Sequence, residues 1–441
     1  MARGRRGASA AQVAAAILVI VVIAGAAAWW ALGRSRSTAT TTPAAQSQAS
    51  TASATPTTSS ASTTSAQQAT GTNKKIKVLV LFDVGGKGDL SFNDMAILGA
   101  ERASKDFGVE VKYLTPQSTD VMESLLRSVS KSGQYDLIIG IGFLWLDPMT
   151  KVAPEFPNQR YAIIDAAPQK PIKNLAAYVF REQEVAALVG ILAADMAHNL
   201  GCNKVGAVAG MDIPPLWRFH IGYLYGVKYY DEYTHSNVTL VWTYTGTFTN
   251  PQVGKQTAEQ MIKNGVCVLY GLAGLTHIGM FDAVKEAAQG GAKVVAIGED
   301  ASQEWYDPYH IVLSGLKRVD VAVYDAIKSV VYGNFTGGIH VLGLKNGGLG
   351  LSNAEMIKYF AELAAEQGKL PKGLTPDDVV NIVMKEREKL IDQTAWNLVH
   401  QLEQEIISGK VKFKTPANHQ EYQEIIHQLE EGNLQAALET G

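Results

Sequence analysis

From Lys74 onward the chain alternates short, nearly unbroken apolar runs with amphipathic stretches of helical period, and this alternation leaves few folds open. The runs Lys77–Phe82, Val109–Leu114, Leu137–Ile141, Tyr161–Ile164 and Ala176–Phe180 come first. Lys204–Ala209, Val238–Tyr244, Cys267–Gly271, Lys293–Ile297 and Ile311–Ser314 follow. Strands so apolar throughout must be covered on both faces, which points to parallel sheets. Between them Asn93–Asp106, Val121–Ser130, Glu184–His198, Arg218–Tyr230, Gln252–Asn264 and Met280–Gln289 read as helices. There are too many units for one sheet, and the pattern restarts near Lys204. An α/β protein of two doubly wound, Rossmann-like lobes is expected, with any ligand beyond the carboxyl ends of the strands. A chain of 441 residues is long enough to bury two medium cores.

The flanks differ in kind. Arg3, Arg5 and Arg6 precede an apolar segment from about Ala10 to Leu32, with Trp29 and Trp30 near its outer end. At about 1.5 Å per residue this is roughly 34 Å of helix, enough for a bilayer core of about 30 Å. Residues 1–34 read as a single-pass membrane anchor with the rest of the chain outside the cell, since the leading arginines favour a cytoplasmic N-terminus. A cleaved signal peptide is the competing reading, because Ala24–Ala28 offers small residues near a cleavage point. Residues 35–73 are almost all Ser, Thr, Ala, Gln and Pro. Such a segment buries too little apolar surface to offset its ordering entropy and reads as a disordered stalk. Asn237-Val238-Thr239 and Asn334-Phe335-Thr336 match the N-glycosylation acceptor, which fits an external location.

Residues 74–352 are assigned to the two lobes, the first from about 74–180 plus 305–352 and the second from 181–304. Residues 353–441 form a helical C-terminal extension, with Ala354–Glu366, Thr375–Ser408 and His419–Ala437 as helices that pack on a lobe or dock a partner.

Several function classes fall away. A net charge of −3 gives no basic face for nucleic acid. Cys202 and Cys267 are the only cysteines, too few for a disulfide framework or a Cys-based zinc site. Two buried thiols are the plain reading, and one bridge is possible in an oxidising compartment. The sequence Gly86-Lys87-Gly88-Asp89-Leu90-Ser91 lacks the third glycine of a dinucleotide fingerprint, and Asp83 and Asp89 repel a pyrophosphate. No nucleophile elbow, phosphate loop or zinc-protease run occurs, and the nine histidines are scattered. No catalytic residue, cofactor or metal is expected.

What remains is a set of polar and aromatic residues at strand ends. Leu81–Asp94 carries Asp83, Ser91, Phe92 and Asn93 directly after a buried strand. A carboxylate and an amide there pair with hydroxyls or ring nitrogens, and the aromatic covers a flat ring. Asp165, Phe248, Gly271–Gly274, Glu299-Asp300 and Lys317 take comparable places after later strands. Each alone is ordinary, since aspartates cap helices and aromatics pack. Their shared location suggests one pocket that holds a ligand without transforming it.

Asp83-Val-Gly-Gly, Ser91-Phe-Asn-Asp, Tyr135-Asp-Leu-Ile-Ile-Gly, Ala162-Ile-Ile-Asp165, Glu182-Gln-Glu, Gly210-Met-Asp-Ile-Pro, Arg218-Phe, Gly246-Thr-Phe and Lys317-Arg-Val-Asp occur in order. With Gly343-Leu-Lys-Asn-Gly-Gly-Leu, this series resembles the basic membrane protein family of ABC-transporter substrate-binding proteins, over about Lys75 to Leu351. The resemblance implies a periplasmic-binding-protein-like fold with lobes joined by crossing strands, a purine nucleoside as ligand, and delivery to ABC permease subunits served by a cytoplasmic ATPase. It further implies that Phe92 and Phe248 sandwich the purine and that Asp83, Asn93 and Asp165 address the base edge. Asp300 and Lys317 would bind the ribose, with Gly274 allowing close backbone approach. The anchor and stalk replace the lipid anchor common in relatives. Glu299, the loop Gly271–His277 and Trp217 depart from the family pattern. A ligand-binding sensor domain is the alternative function.

Overall fold

The computed structural model describes residues 75–439. The expected anchor and stalk therefore lie outside the described residues. Among the described residues no helix is long and apolar enough to cross a membrane.

The chain runs β1 (Lys77–Leu81), α1 (Phe92–Phe107), β2 (Glu110–Leu114), α2 (Met122–Lys131), β3 (Leu137–Ile141), α3 (Leu146–Val152), β4 (Tyr161–Ile164) and β5 (Leu175–Phe180). It continues through α4 (Glu182–Leu200), β6 (Lys204–Ala209), α5 (Pro214–Thr234), β7 (Thr239–Tyr244), α6 (Pro251–Lys263), β8 (Val268–Leu272), α7 (Leu275–Gln289), β9 (Val295–Gly298) and β10 (Ile311–Lys317). Last come α8 (Val319–Val331), β11 (Gly338–Leu342), β12 (Leu349–Leu351), α9 (Ala354–Glu366), α10 (Pro376–Leu390), α11 (Gln393–Ser408) and α12 (His419–Glu430).

Two six-stranded sheets result, ordered β11-β5-β4-β3-β1-β2 and β12-β10-β9-β8-β6-β7. The pairings are parallel except for β12 on β10. The orders are the same pattern used twice, so β1 corresponds to β6, β3 to β8 and β4 to β9. Central strands such as β3 and β8 are buried along their whole length, as strands covered on both faces must be.

The chain crosses between lobes three times, after β5, after β10 and between β11 and β12. This corrects the expected boundary. Residues 311–317, placed in the first lobe on sequence, pair with β9 in the second sheet. The first lobe regains the chain only at α8, which packs on α1, and at β11. One crossing per repeat is the simplest division of a duplicated pattern, and apolar runs carry no mark of which sheet they join.

Within the second lobe α4 is buried on all sides through Ala197 and lies directly on α5. Glycines make the approach possible: a Cβ on Gly226 would fall 2.0 Å from the Ala187 carbonyl oxygen, and one on Gly222 2.3 Å from that of Gln183. The two cysteines form a disulfide that ties the turn before β6 to the start of β8, replacing the expected pair of thiols. A bridge across 65 residues removes loop-closure entropy from the unfolded chain equivalent to about 4 kcal/mol.

The C-terminal extension packs on the second lobe, α10 against β10, α11 against α4 and α12 against α5. The expected single helix from Thr375 to Ser408 is two, broken at Ile391-Asp392, where the Asp392 amide donates to Asp195 Oδ2. Arg387 of α10 is buried and donates to the carbonyls of Val312 and Ser352 and to Glu304 Oε1. Such bonds fix the extension to the lobe instead of leaving it as a loose arm.

Candidate functional site

The carboxyl ends of both sheets face one another across a cavity with about 670 Å³ of empty space, the open solvent at its mouth included. Asp83, Phe92, Asn93, Asp165, Phe248, Gly274, Asp300 and Lys317 all line it. Each arrives from the end of a strand or the start of the next helix, so the repeated topology assembles them.

The turn after β1 is organised by two carboxylates. Asp89 accepts from the amides of Ser91, Asn93 and Asp94 and from Asn93 Nδ2, and so caps α1. Ser91 stands at the N-cap position but makes no cap bond. Its hydroxyl instead crosses to the second lobe and donates to Asp300 Oδ2 at 2.6 Å. Asp83 accepts from the Gly85 amide and from Asn93 Nδ2 at 2.8 Å each. Both Asn93 amide hydrogens are thus engaged by Asp83 and Asp89, and its Oδ1 accepts from the Asp83 amide at 3.4 Å, so Asn93 orients Asp83 and keeps one lone pair of Oδ1 for anything else.

Asp165 and Asp300 occupy equivalent places after β4 and β9, and both hold positive φ, 80° and 68°. Non-glycine residues keep that conformation at a cost, and such strain gathers at functional sites. Lys317 lies between them at the end of β10. Its Nζ is 2.5 Å from Asp165 Oδ1 and 2.9 Å from Glu182 Oε1, with the rings of Phe92, Phe180 and Phe219 at 5.2–5.5 Å. Lys317 is thereby ion-paired with two carboxylates at once. Arg218 completes the group by donating to Glu182 through Nε and Nη2.

Electrostatics follow from burial. Burial raises Asp83 and Asp300, against the pull of Asn93 on the first and of Lys317 on the second. It raises Asp165 to about 7 despite Lys317. Burial opposes ionisation of Glu182 too, but Arg218 and Lys317 outweigh it and hold the carboxyl down to about 2. Burial opposes the charge on Lys317, yet Asp165, Glu182 and Asp300 raise it. The cavity is therefore rich in acceptors and poor in free cations.

In the second lobe the Phe248 ring lies on Gly210, where a Cβ would come within 2.1 Å of it. Gly274, at φ 52°, opens α7 next to the Phe248 carbonyl. His277 is neutral, lowered by burial to about 4. It accepts the Ala273 amide on Nδ1, so its Nε2–H donates to Gln303 Oε1. Gln303 Nε2 in turn donates to the Leu90 carbonyl of the first lobe.

The family departures find structural places. Tyr270 donates to Glu299, whose carboxyl turns toward Gly315 in β10. Trp217 does not line the cavity: its ring stacks on Tyr422 of α12 and its Nε1 donates to Asp212. Sequence reasoning named Ser91 within the pocket turn after β1 and Arg218 only within a motif, and did not single out Glu182 or Gln303 as site residues. Glu182 stands beside the end of β5 and an aromatic, and Arg218 beside two aromatics in α5, the only signal available.

The family model described as Bmp, ABC transporter substrate-binding protein PnrA-like, matches residues 76–415. The chain belongs to the Bmp family. An uncharacterized lipoprotein of Pyrococcus abyssi is 57% identical over 83% of this chain and 91% of its own length. The ABC transporter nucleoside-binding protein BmpA of Lactococcus lactis is 31% identical over 65% of this chain and 86% of its own. A crystal structure of an ABC transporter system solute-binding protein from Aeropyrum pernix is 63% identical, with a TM-score of 0.82 over 82% of this chain and all of that one. A solute-binding protein from Conexibacter woesei, 20% identical with a TM-score of 0.55, shares the fold. This Bmp-family chain is accordingly an ABC transporter substrate-binding protein, and its relatives are proteins that hold a solute. Among the described residues no cluster of His, Cys, Asp and Glu is arranged for a metal.

Proposed function

We propose that the protein captures a purine nucleoside between its lobes, outside the cell, and delivers it to the permease of an ABC importer. The observation that carries this reading is that Phe92 from one lobe and Phe248 from the other line one cavity together with Asp83, Asp165 and Asp300. Aromatic faces suit a flat heterocycle, and carboxylates accept from ring N–H, exocyclic amino and ribose hydroxyl groups. A phosphate would meet three acids and a lysine already held by two carboxylates, so the cavity favours nucleosides over nucleotides. The name of the Lactococcus relative supports the same ligand class.

The apolar segment at 10–32 is proposed as the tether, with the stalk holding the lobes clear of the membrane. The Pyrococcus relatives are called lipoproteins, but both cysteines of this chain are joined to each other and offer no thiol for a lipid. Docking on the permease would follow hinge closure around the ligand.

Calorimetric titration with nucleosides, bases, sugars and nucleoside monophosphates tests the ligand. Saturable binding of a purine nucleoside, with the monophosphate at least 100-fold weaker, is expected. Binding confined to a sugar or another non-nucleoside would overturn the assignment.

A further inference from the structure

The two acceptor tripeptides for N-glycosylation each precede an edge strand, one in each sheet, with β7 at the place that β2 takes in the first sheet and β11 at the place that β12 takes in the second. Asn237 lies in the exposed loop between α5 and β7, and Asn334 in the exposed loop between α8 and β11. β7 is the outermost strand of the second sheet and β11 the outermost of the first. Each acceptor therefore sits at the entrance to an open sheet edge. Each also precedes the amino end of a parallel strand, whereas the ligand cavity lies at the carboxyl ends. Across the six residues of β7, at about 3.3 Å each, that is roughly 20 Å of separation.

A second observation gives these positions a purpose. Nine large apolar side chains are exposed among the described residues, and five of them stand within seven positions of an acceptor. Tyr233 and Val241 flank Asn237; Tyr332, Ile339 and Val341 flank Asn334. Ile339 and Val341 are 49% and 44% exposed and alternate on one face of an edge strand. An exposed apolar edge is a template for pairing with another chain, and proteins blunt such edges with bulky or charged groups.

We propose that Asn237 and Asn334 are N-glycosylated and that the two glycans shield the open edges of the two sheets. The donor is a lipid-linked oligosaccharide. Asn Nδ2 bonds to the sugar C1, the C1–O bond to the lipid phosphate breaks, the phosphate leaves with its electron pair, and the amide nitrogen loses one proton. Since both acceptors lie at the amino ends of their strands and the cavity at the carboxyl ends, the glycans leave ligand entry open. The proposal rests on the external location given above.

The test is peptide mass spectrometry on the full chain taken from its native membranes, with whole cells first labelled by a membrane-impermeant amine reagent. Sugar mass on both the Asn237 and Asn334 peptides of labelled protein is expected. Asn237→Gln and Asn334→Gln should each remove one glycan step and leave nucleoside affinity within twofold. The double variant should self-associate at concentrations where the native protein stays monomeric. Unmodified peptides in labelled protein would overturn the glycosylation while leaving the location intact, and unlabelled protein would overturn both. A double variant as monodisperse as the native protein would overturn the shielding role.

Discussion

Lys317 and the carboxylates around it set how the cavity treats charge. Asp300 is the residue to test, and Asp300→Asn is the cleaner probe, because asparagine tolerates the φ of 68° that alanine would strain. It should weaken nucleoside binding at least 100-fold by calorimetry with the melting temperature nearly unchanged; retained affinity would remove Asp300 from the ligand contacts. Protonation supplies a second test. Asp165 at about 7 and Glu299 at about 8 lie above the carboxyl values they regain on unfolding, with burial the main cause in both. The folded state then binds more protons than the unfolded one, so stability is full below about pH 4 and declines as pH rises through 7 and 8. Scanning calorimetry of the ligand-free protein should show a melting temperature that falls between pH 5 and 9, and Glu299→Gln should remove the part of the fall near pH 8. Sequence could nominate Asp83, Asp165 and Asp300 because an acid at a strand end stands out. It could not show that Asn93 is turned onto Asp83, or that Arg218 holds the Glu182 that pairs with Lys317, since those partners, 10 to 135 positions apart along the chain, meet only in the folded state.

Ten of the twelve strands were legible as apolar runs: the edge strands β2 and β7 by their apolar residues, although none of these is buried, and the central ones because a strand buried on both faces carries a strong signal. β11 and β12 were not: Gly338–Leu342 alternates exposed and half-buried positions at a sheet edge, and Leu349–Leu351 has only three residues. α8 was not singled out either; it begins at Val319, with only Arg318 between it and β10. The extension was read as helical, yet its attachment depends on Arg387, a residue typical of a solvated face. Buried, it binds Glu304 and two carbonyls from the second lobe. Arg387→Ala would leave Glu304 without its cation, and loss of about 3–5 kcal/mol is expected in a denaturant titration. A loss under about 1 kcal/mol would mean that the extension is held mainly by its apolar contacts.

Across the whole molecule, polar contacts join the lobes around the cavity: Ser91 Oγ to Asp300 and to the Glu299 carbonyl, Gln303 to the Leu90 carbonyl, and Lys317 to Asp165. The first uses the very hydroxyl that α1 does not need, because Asp89 caps that helix. Ser91→Ala should therefore leave the first lobe as stable as before but weaken nucleoside binding by about tenfold, since a bond to a charged group contributes roughly 1.5 kcal/mol. Unchanged affinity together with an unchanged dissociation rate in stopped-flow experiments would show that this bond plays no part in closure. The chain crosses between the lobes three times, and the family resemblance implied crossing strands. The expected boundary at 180/181 matches the crossing after β5, whereas the one at 304/305 fell before β10 and the crossing between β11 and β12 was not foreseen. By itself the sequence determined the α/β class, the duplication into two lobes and the end of the strands where a site would form, because these follow from local periodicity and chemistry. Only the tertiary structure decided which lobe claims β10, that the two cysteines are bonded, and which polar groups remain free to meet a ligand. Those outcomes depend on close approach between residues far apart in the chain, and no local pattern encodes such distances.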